Sequence, residues 1–460
     1  GVLNPLRFDF DEITDRVPPV FRRFAVRPLG IDARLGGTFD DLEAVPLRRG
    51  SRYFYQRPVE AWGTLGVEID VYDQHDGSYN RNGVQCVEVK VDGREVYYHH
   101  LDRFTYDRTR DINVHVNYEV WQEKNHRYQR CYVADGNELP IYRTGPERGR
   151  IRIDEERDYE VEITCWDTYQ NAATLTLQLR GRRPDGVISP TVDPNQAPRF
   201  EYARFGNILR LTAHDLPVEA RPAVAYAGAE ALVLPATYAQ GEATVYLHDL
   251  RRGVPDSVDF AGQNFNLPYR AMLLPDAPLT YRTDDLALSI PAGALFDTLF
   301  LEADANGEHL HFGPDVEPVS GTMDVTWYPH TPADRAKTHV YRQAGRSRAF
   351  EGGEWRADGA VRFKTRHFGR FVLATDDTPP TIRLRRADRG GAEFRIHDDL
   401  SGIKSYRATL GGEWLLMNYD YKQARLWSET RRPGAALRGE LVLEVTDQAG
   451  NSTLYRQTIQ

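Results

Sequence analysis

Cysteine is scarce in this sequence: Cys86, Cys131 and Cys165 are the three it has in 460 residues. An odd number cannot pair completely, and so few bonds cannot staple so long a chain, which excludes a disulfide-held scaffold. The three read as buried thiols on strands, with one disulfide as the alternative. Long apolar runs are missing too. Mean hydropathy is -0.57, and no uninterrupted apolar stretch approaches the ~18–20 residues of a membrane-spanning helix. There is no basic excess either: 58 Lys+Arg against 67 Asp+Glu leave a formal charge of -9, the opposite of what a nucleic-acid partner selects. Lysine is rare and arginine carries nearly all the positive charge, a bias from which no function follows. Gly-x-Ser-x-Gly, Gly-x-x-x-x-Gly-Lys and Cys-x-x-Cys are all absent, so the commonest signatures of serine hydrolases, nucleotide-binding loops and paired-cysteine sites fail.

What the sequence has is alternation. "GVEIDVYD", "VQCVEVKVDG", "YEVEITCWD", "ATLTLQLRG" and "LRGELVLEVTD" place apolar residues at every second position and end in Asp, Asn or Gly, the pattern of half-buried strands with turns between them. No stretch keeps a 3.6-residue apolar period, and 37 Gly with 27 Pro supply breakers throughout. The expected class is all-β, as tandem immunoglobulin-like sandwiches and β-rich modules. A chain this long divides into roughly three or four cores of ~100–150 residues.

Internal echoes sharpen that expectation. Asp167/Asn171 in "CWDTYQNAATLTL" and Asp447/Asn451 in "VTDQAGNSTLYRQ" share one spacing inside a hairpin. Gly83 to Gly93 matches Gly402 to Gly412, each run following an Asp-led loop, and "TDRVPPVF" (14–21) matches "TDDTPPTI" (375–382). Pro-Pro fixes an extended entrance, and Asp/Asn side chains that bond their own backbone build the turn. One sandwich plan is therefore used at least twice. The expected units are a linker at 1–17, a first module at 18–181 with an insertion at 98–150, a linker at 182–196, a sandwich at 197–276, a β-rich module at 277–376 and a last module at 377–460. The chain opens on Gly1 with no signal-like segment, so it reads as a processed form or a fragment.

The echoes resemble bacterial immunoglobulin-like modules, whose repeats run Pro-Pro, Asp-x-x-Gly-Ile, Asp-x-x-Gly-Asn. "NPLRFDF", "DRFTYDRTRDINVHVNYE" (102–119), "GNELPIY" (136–142) and "SGIKSYRATLGGEWLLMNYDYKQARL" (401–426) further resemble the C-terminal, non-catalytic region of LytM-type (lysostaphin-like) zinc metallopeptidases of Gram-negative bacteria. That resemblance implies a periplasmic or envelope protein, an upstream peptidase domain carrying the zinc, and either that domain or a peptidoglycan component as partner. No cofactor is expected in this chain itself. The alternative is a stand-alone surface adhesin or glycan-binding protein.

Three clusters invite chemistry. His309 and His311 in "EHLHFGPDV" project from one face of a strand, as two zinc ligands would. However, the family's His-x-x-x-Asp and later His-x-His motifs are not both present, so an ordinary strand face is expected. Asp376-Asp377, Asp398, Asp399 and Asp447 sit in loops that could meet at one end of the last sandwich and offer oxygens to Ca²⁺, against the plainer reading that each closes its own turn. The segment 98–142 interleaves Phe104, Tyr106, Tyr118 and Tyr142 with Arg103, Arg110, Asn113 and Asn137. Rings beside Arg and Asn suit a sugar- or peptide-binding face; the plainer reading is a subdomain whose tyrosines fill a thin core.

Overall fold

The computed structural model describes residues 2–8, 14–184, 196–216, 222–260, 262–330, 332, 334–429 and 436–460; most of the expected linker at 182–196 lies outside them. The architecture is all-β, a tandem of sandwich modules. Among the described residues helix is confined to short pieces, the longest α-helix being Tyr118–Lys124. Among the described residues no helix is long and apolar enough to cross a membrane.

The chain forms two compact units. One holds 1–278, 292–302 and 316–321, and the other 279–291, 303–315 and 322–460. The division therefore runs through the expected third module rather than along its borders.

In the first unit the strand Val59–Tyr72 is the spine. Its start pairs in parallel with Ala172–Gly181, and its remainder pairs antiparallel with Val20–Pro28. Leu65, Val67, Ile69 and Val71 point to one side and are buried in the main core, as a period-2 pattern requires. Cys86–Val91, Arg94–His100, Asp158–Trp166 and Ala172–Gly181 complete the sandwich. The three cysteines are buried and unpaired. The second module follows as two four-stranded sheets spanning Arg199–Asn266. Its Ile208, Tyr238, Val245 and Leu247 lie in the same buried cluster as the first module's core, while Leu209, Leu211, Tyr246, Val258 and Phe260 belong to a second cluster within the module, so the two modules share packing at one side.

In the second unit the last module is two four-stranded sheets, one of Thr381–Asp388, Gly391–His397, Arg425–Ser428 and Met417–Asp420, the other of Glu413–Leu415, Ile403–Leu410, Gly439–Asp447 and Ser452–Ile459. It is an immunoglobulin-like sandwich with a core of its own, from Ala392 to Ile459.

Candidate functional site

The insertion changes what the spine strand's second face does. Alternation in "GVEIDVYD" leaves Glu68 and Asp70 on the side away from the core, the side a simple sandwich gives to solvent. Here Glu68 is 0% and Asp70 5% exposed. Gln129–Arg130 pairs with Glu68 and Ile69, Ile151–Ile153 pairs with residues 63–65, and the Tyr132 ring lies over Gly66, where a Cβ would come within 2.4 Å of it. Only glycine leaves room there.

Glu68 is consequently a buried charge that must be compensated. Its oxygens accept from Arg27 Nε (3.0 Å), from Asn117 Nδ2 (3.1 and 3.0 Å) and from the Tyr132 hydroxyl (3.2 Å), with Arg130 Nε at 3.6 Å. Arg27 also reaches Asp41 and, at 3.0 Å, Glu43. Burial works against its charge, but Glu68, Asp41 and Glu43 outweigh that and hold the guanidinium above its ordinary value. Beside this network opens a cleft of about 330 Å³, whose lining includes Arg130, Arg150, Arg251, Glu119, Asp135 and Asp297; Arg150 is paired with Asp135 at 2.9 Å and Arg251 with Asp249 at 2.8 Å. Asn117, Arg130 and Tyr132 all come from the insertion; Tyr132 is one of the aromatics the sequence interleaves there, but Asn117 and Arg130 are not singled out by sequence reasoning. The available signal was two acids inside an otherwise apolar strand pattern.

The eight residues singled out in the sequence do not share one face. Tyr106 is 73% exposed and Arg103 is exposed on a two-residue strand beside Phe104. Arg110 is half-buried and donates to the Val319 carbonyl at 3.2 Å. Asn113 and Tyr118 are half-buried, Tyr118 edge-on to Trp121 at 5.8 Å. Asn137 and Tyr142 turn inward: Asn137 Nδ2 donates to the Tyr142 hydroxyl at 2.7 Å, which also contacts His115 Nδ1 at 2.9 Å. His115 packs against His99 at 4.9 Å between ring centres. Burial first, then neighbouring cationic groups, push His99 well below the usual histidine range and His115 down to about 4. The segment thus has an outer part at Arg103 and Tyr106 and an inner part at Asn137 and Tyr142.

His309 and His311 take separate carboxylates, Asp304 at 3.3 Å and Asp315 at 2.8 Å, while Leu310 and Phe312 are fully buried between them.

The carboxylates of the last module do converge. Ligand atoms of Asp376, Asp398 and Asp447 lie within 4.8 Å of one another. Of the calcium candidates, Asp377 and Asp399 do not join them: Asp377 is exposed, and Asp399 pairs outward with His397 at 3.1 Å. Successive residues of extended chain face opposite ways, so Asp376 points inward and Asp377 does not. The three acids are held by the module's own donors. Asp376 accepts from Thr378 N and Ser401 N, Asp398 from Leu400 N and Gly402 N, and Asp447 from Asn451 N and Nδ2 at 2.8 Å each.

The first module repeats this corner with Asp15, Asp73, Asp167 and Asn171. Asn171 N and Nδ2 bond Asp167 at 2.8 and 2.7 Å, and Nδ2 also bonds the Asp15 carbonyl at 3.1 Å. Its counterpart Asn451 bonds the Asp376 carbonyl at 2.9 Å. The sequence echo is a structural one.

No family model and no curated protein matches the chain. Among solved structures it is similar to a 1.5-MDa bacterial ice-binding adhesin (8% identity, 86% of this chain and 88% of that one, TM-score 0.13). It is also similar to the SGBP-B of a Bacteroides ovatus mixed-linkage glucan utilization locus in complex with a heptasaccharide (10%, 97% and 71%, 0.14), and to the insect immune protein hemolin (8%, 90% and 98%, 0.14). Likeness at this level carries no argument about function.

Proposed function

We propose that this chain is a non-catalytic recognition and positioning part of an exported cell-envelope protein, and that the cleft beside Glu68 is its binding surface. One observation carries this: the segment that interrupts the sandwich plan is the segment that builds the cleft, and function on repeated scaffolds gathers at such interruptions. Glu68 is fully buried and its oxygens are engaged by Arg27, Asn117 and Tyr132. The cleft lining carries both cations and anions, partly as the ion pairs Arg150–Asp135 and Arg251–Asp249, which suits a ligand whose own ammonium and carboxylate groups, at short spacing, exchange with those pairs. The resemblance of residues 102–119, 136–142 and 401–426 to the accessory region of LytM-type peptidases is the support for one such ligand class, the stem peptides of peptidoglycan, and for a peptidase domain as the chain's partner.

The test is calorimetric titration of the whole chain with soluble muropeptides and, in parallel, with peptide-free glycan strands. Muropeptides alone are expected to bind, with Arg150→Ala and Arg251→Ala each weakening them about ten-fold, a loss of ~1.4 kcal/mol. Equal binding of peptide-free glycan would instead favour a glycan-binding adhesin, and no binding of either would overturn the proposal.

A further inference from the structure

The two carboxylate corners differ in one respect that the cleft does not touch. In the first module, ligand atoms of Asp15, Asp73 and His75 lie within 4.8 Å of one another. Asp15 is 8% and Asp73 2% exposed, and Asp15 Oδ2 and Asp73 Oδ1 are buried with no hydrogen-bond partner. In the last module no oxygen of Asp376, Asp398 or Asp447 is left in that condition. An orphaned buried carboxylate oxygen is costly, and here the two acids that each carry one also bring ligand atoms within 4.8 Å of each other and of His75.

We infer that Asp15, Asp73 and His75 form a divalent-cation site at the entrance corner of the first module. The donor chemistry narrows the ion. Two carboxylates with one imidazole suit Zn²⁺ or Mn²⁺ better than Ca²⁺, which prefers an all-oxygen shell. His75 is half-buried, its Nε2 only 3.4 Å from Asn82 Nδ2, and its ring sits edge-on to Tyr169 at 5.8 Å, so the imidazole is held near the two acids by weak contacts that a metal bond would outweigh. Asp167, with both oxygens bonded by Asn171, is placed to neutralise charge from the next layer. The site would tie the entrance segment at Asp15 to the loop beginning at Asp73, a structural role separate from ligand binding.

The whole chain, stripped of metal by chelation, would be loaded with Zn²⁺, Mn²⁺ or Ca²⁺ in turn. Readouts would be metal content after desalting and melting temperature. The expected result is one equivalent of Zn²⁺ or Mn²⁺ per chain with a raised melting temperature. Asp73→Asn should abolish both effects and His75→Ala should weaken binding at least ten-fold, while Asp447→Asn in the last module leaves them unchanged. Because Asp73→Asn removes a buried charge, it is also expected to melt no lower than the metal-free wild type, which separates loss of the site from loss of the fold. Failure of Zn²⁺ and Mn²⁺ to bind, binding that survives Asp73→Asn, or calcium binding indifferent to His75 would each overturn the assignment.

Discussion

The first and last modules start from the same corner and finish it differently. In the last module the loop from Asp398 to Gly402 is short, so its own amides at Leu400, Ser401 and Gly402 fold back onto Asp398 and Asp376. In the first module the corresponding run extends from Asp73 to Gly83 and spends its donors on itself, Ser78 N on the His75 carbonyl and Asn82 N on that of Asp73. The shared Asp-Asn hairpin survives, and Val17 N bonds Asp15 Oδ1 at 2.9 Å as Thr378 N bonds Asp376, but Asp15 Oδ2 and Asp73 Oδ1 are left without a donor. Loop length, rather than the identity of the acids, decides whether three aspartates make a self-sufficient turn or an uncompensated cluster. The same contrast recurs across the spine strand, whose polar face is covered by an insertion that the last module lacks.

The strongest way to break this contrast is to remove the insertion's electrostatic anchor. Arg27→Ala leaves Glu68 buried beside Asp41 and Glu43 without its main cation, which should cost ~3–5 kcal/mol. The loss is expected in the first unit alone, with the transition of the last module unmoved in calorimetry. A uniform downward shift of every transition would mean that the cores are not independent. Because the first two modules share one buried cluster, fewer transitions than the four modules of the sequence reading are expected, and residues 377–460, with a core of their own, should fold when expressed alone.

Buried histidine distinguishes the modules next. His99 and His115 lie inside the first module, whereas the last module's one histidine, His397, is exposed. Their folded pKa values are depressed, so between about pH 6.5 and pH 4 the unfolded chain takes up protons that the folded one refuses. Stability is therefore lost as pH falls through that window, by ~1.4 kcal/mol per pH unit for each fully shifted histidine. Other groups titrate in the same window, so the clean measurement is the difference between wild type and His115→Gln at each pH. That difference should shrink on acidification; a difference independent of pH would show that His115 titrates normally.

Much of this was legible in the sequence because it depends on period and spacing. The alternation of Leu65, Val67, Ile69 and Val71 predicts a strand with one buried face, and the Asp167/Asn171 and Asp447/Asn451 spacings predict equivalent hairpins, because a side chain bonding the backbone four residues on is a local event. The cleft was not legible in this way. Whether Glu68 faces water depends on a segment some sixty residues later folding over it, and nothing in the period of the strand records that. The same limit explains Asn137 and Tyr142, whose composition suits a binding face but whose neighbours, His115 and His99, enclose them.

A smaller test compares the two hairpins directly. Asn171→Ala and Asn451→Ala each remove a side chain that bonds its Asp partner and the entrance carbonyl. With a charged acceptor in each set, the cost should be about 1–3 kcal/mol per variant. Equal losses would mean that the hairpin does the same work in both modules. A markedly smaller loss at Asn171, restored to the Asn451 level on adding Zn²⁺ or Mn²⁺, would show that the first corner is organised by its cation instead.

The smallest effect on stability is expected at Tyr106, and it bears on how the insertion divides its labour. The residue opens the short helix Tyr106–Asp111 and is 73% exposed, whereas Tyr132 of the same insertion is 7% exposed and bonded to Glu68. Tyr106→Ala should change stability by less than ~0.5 kcal/mol, while Tyr132→Phe, which deletes one donor to a buried carboxylate, should cost ~1–3 kcal/mol. An exposed tyrosine contributes little to packing, so its value to the chain would have to lie in contact with something else. If the outer face beginning at Arg103 belongs to the recognition surface, Tyr106→Ala weakens muropeptide binding without touching the melt; if binding stays at the wild-type level, recognition is confined to the cleft.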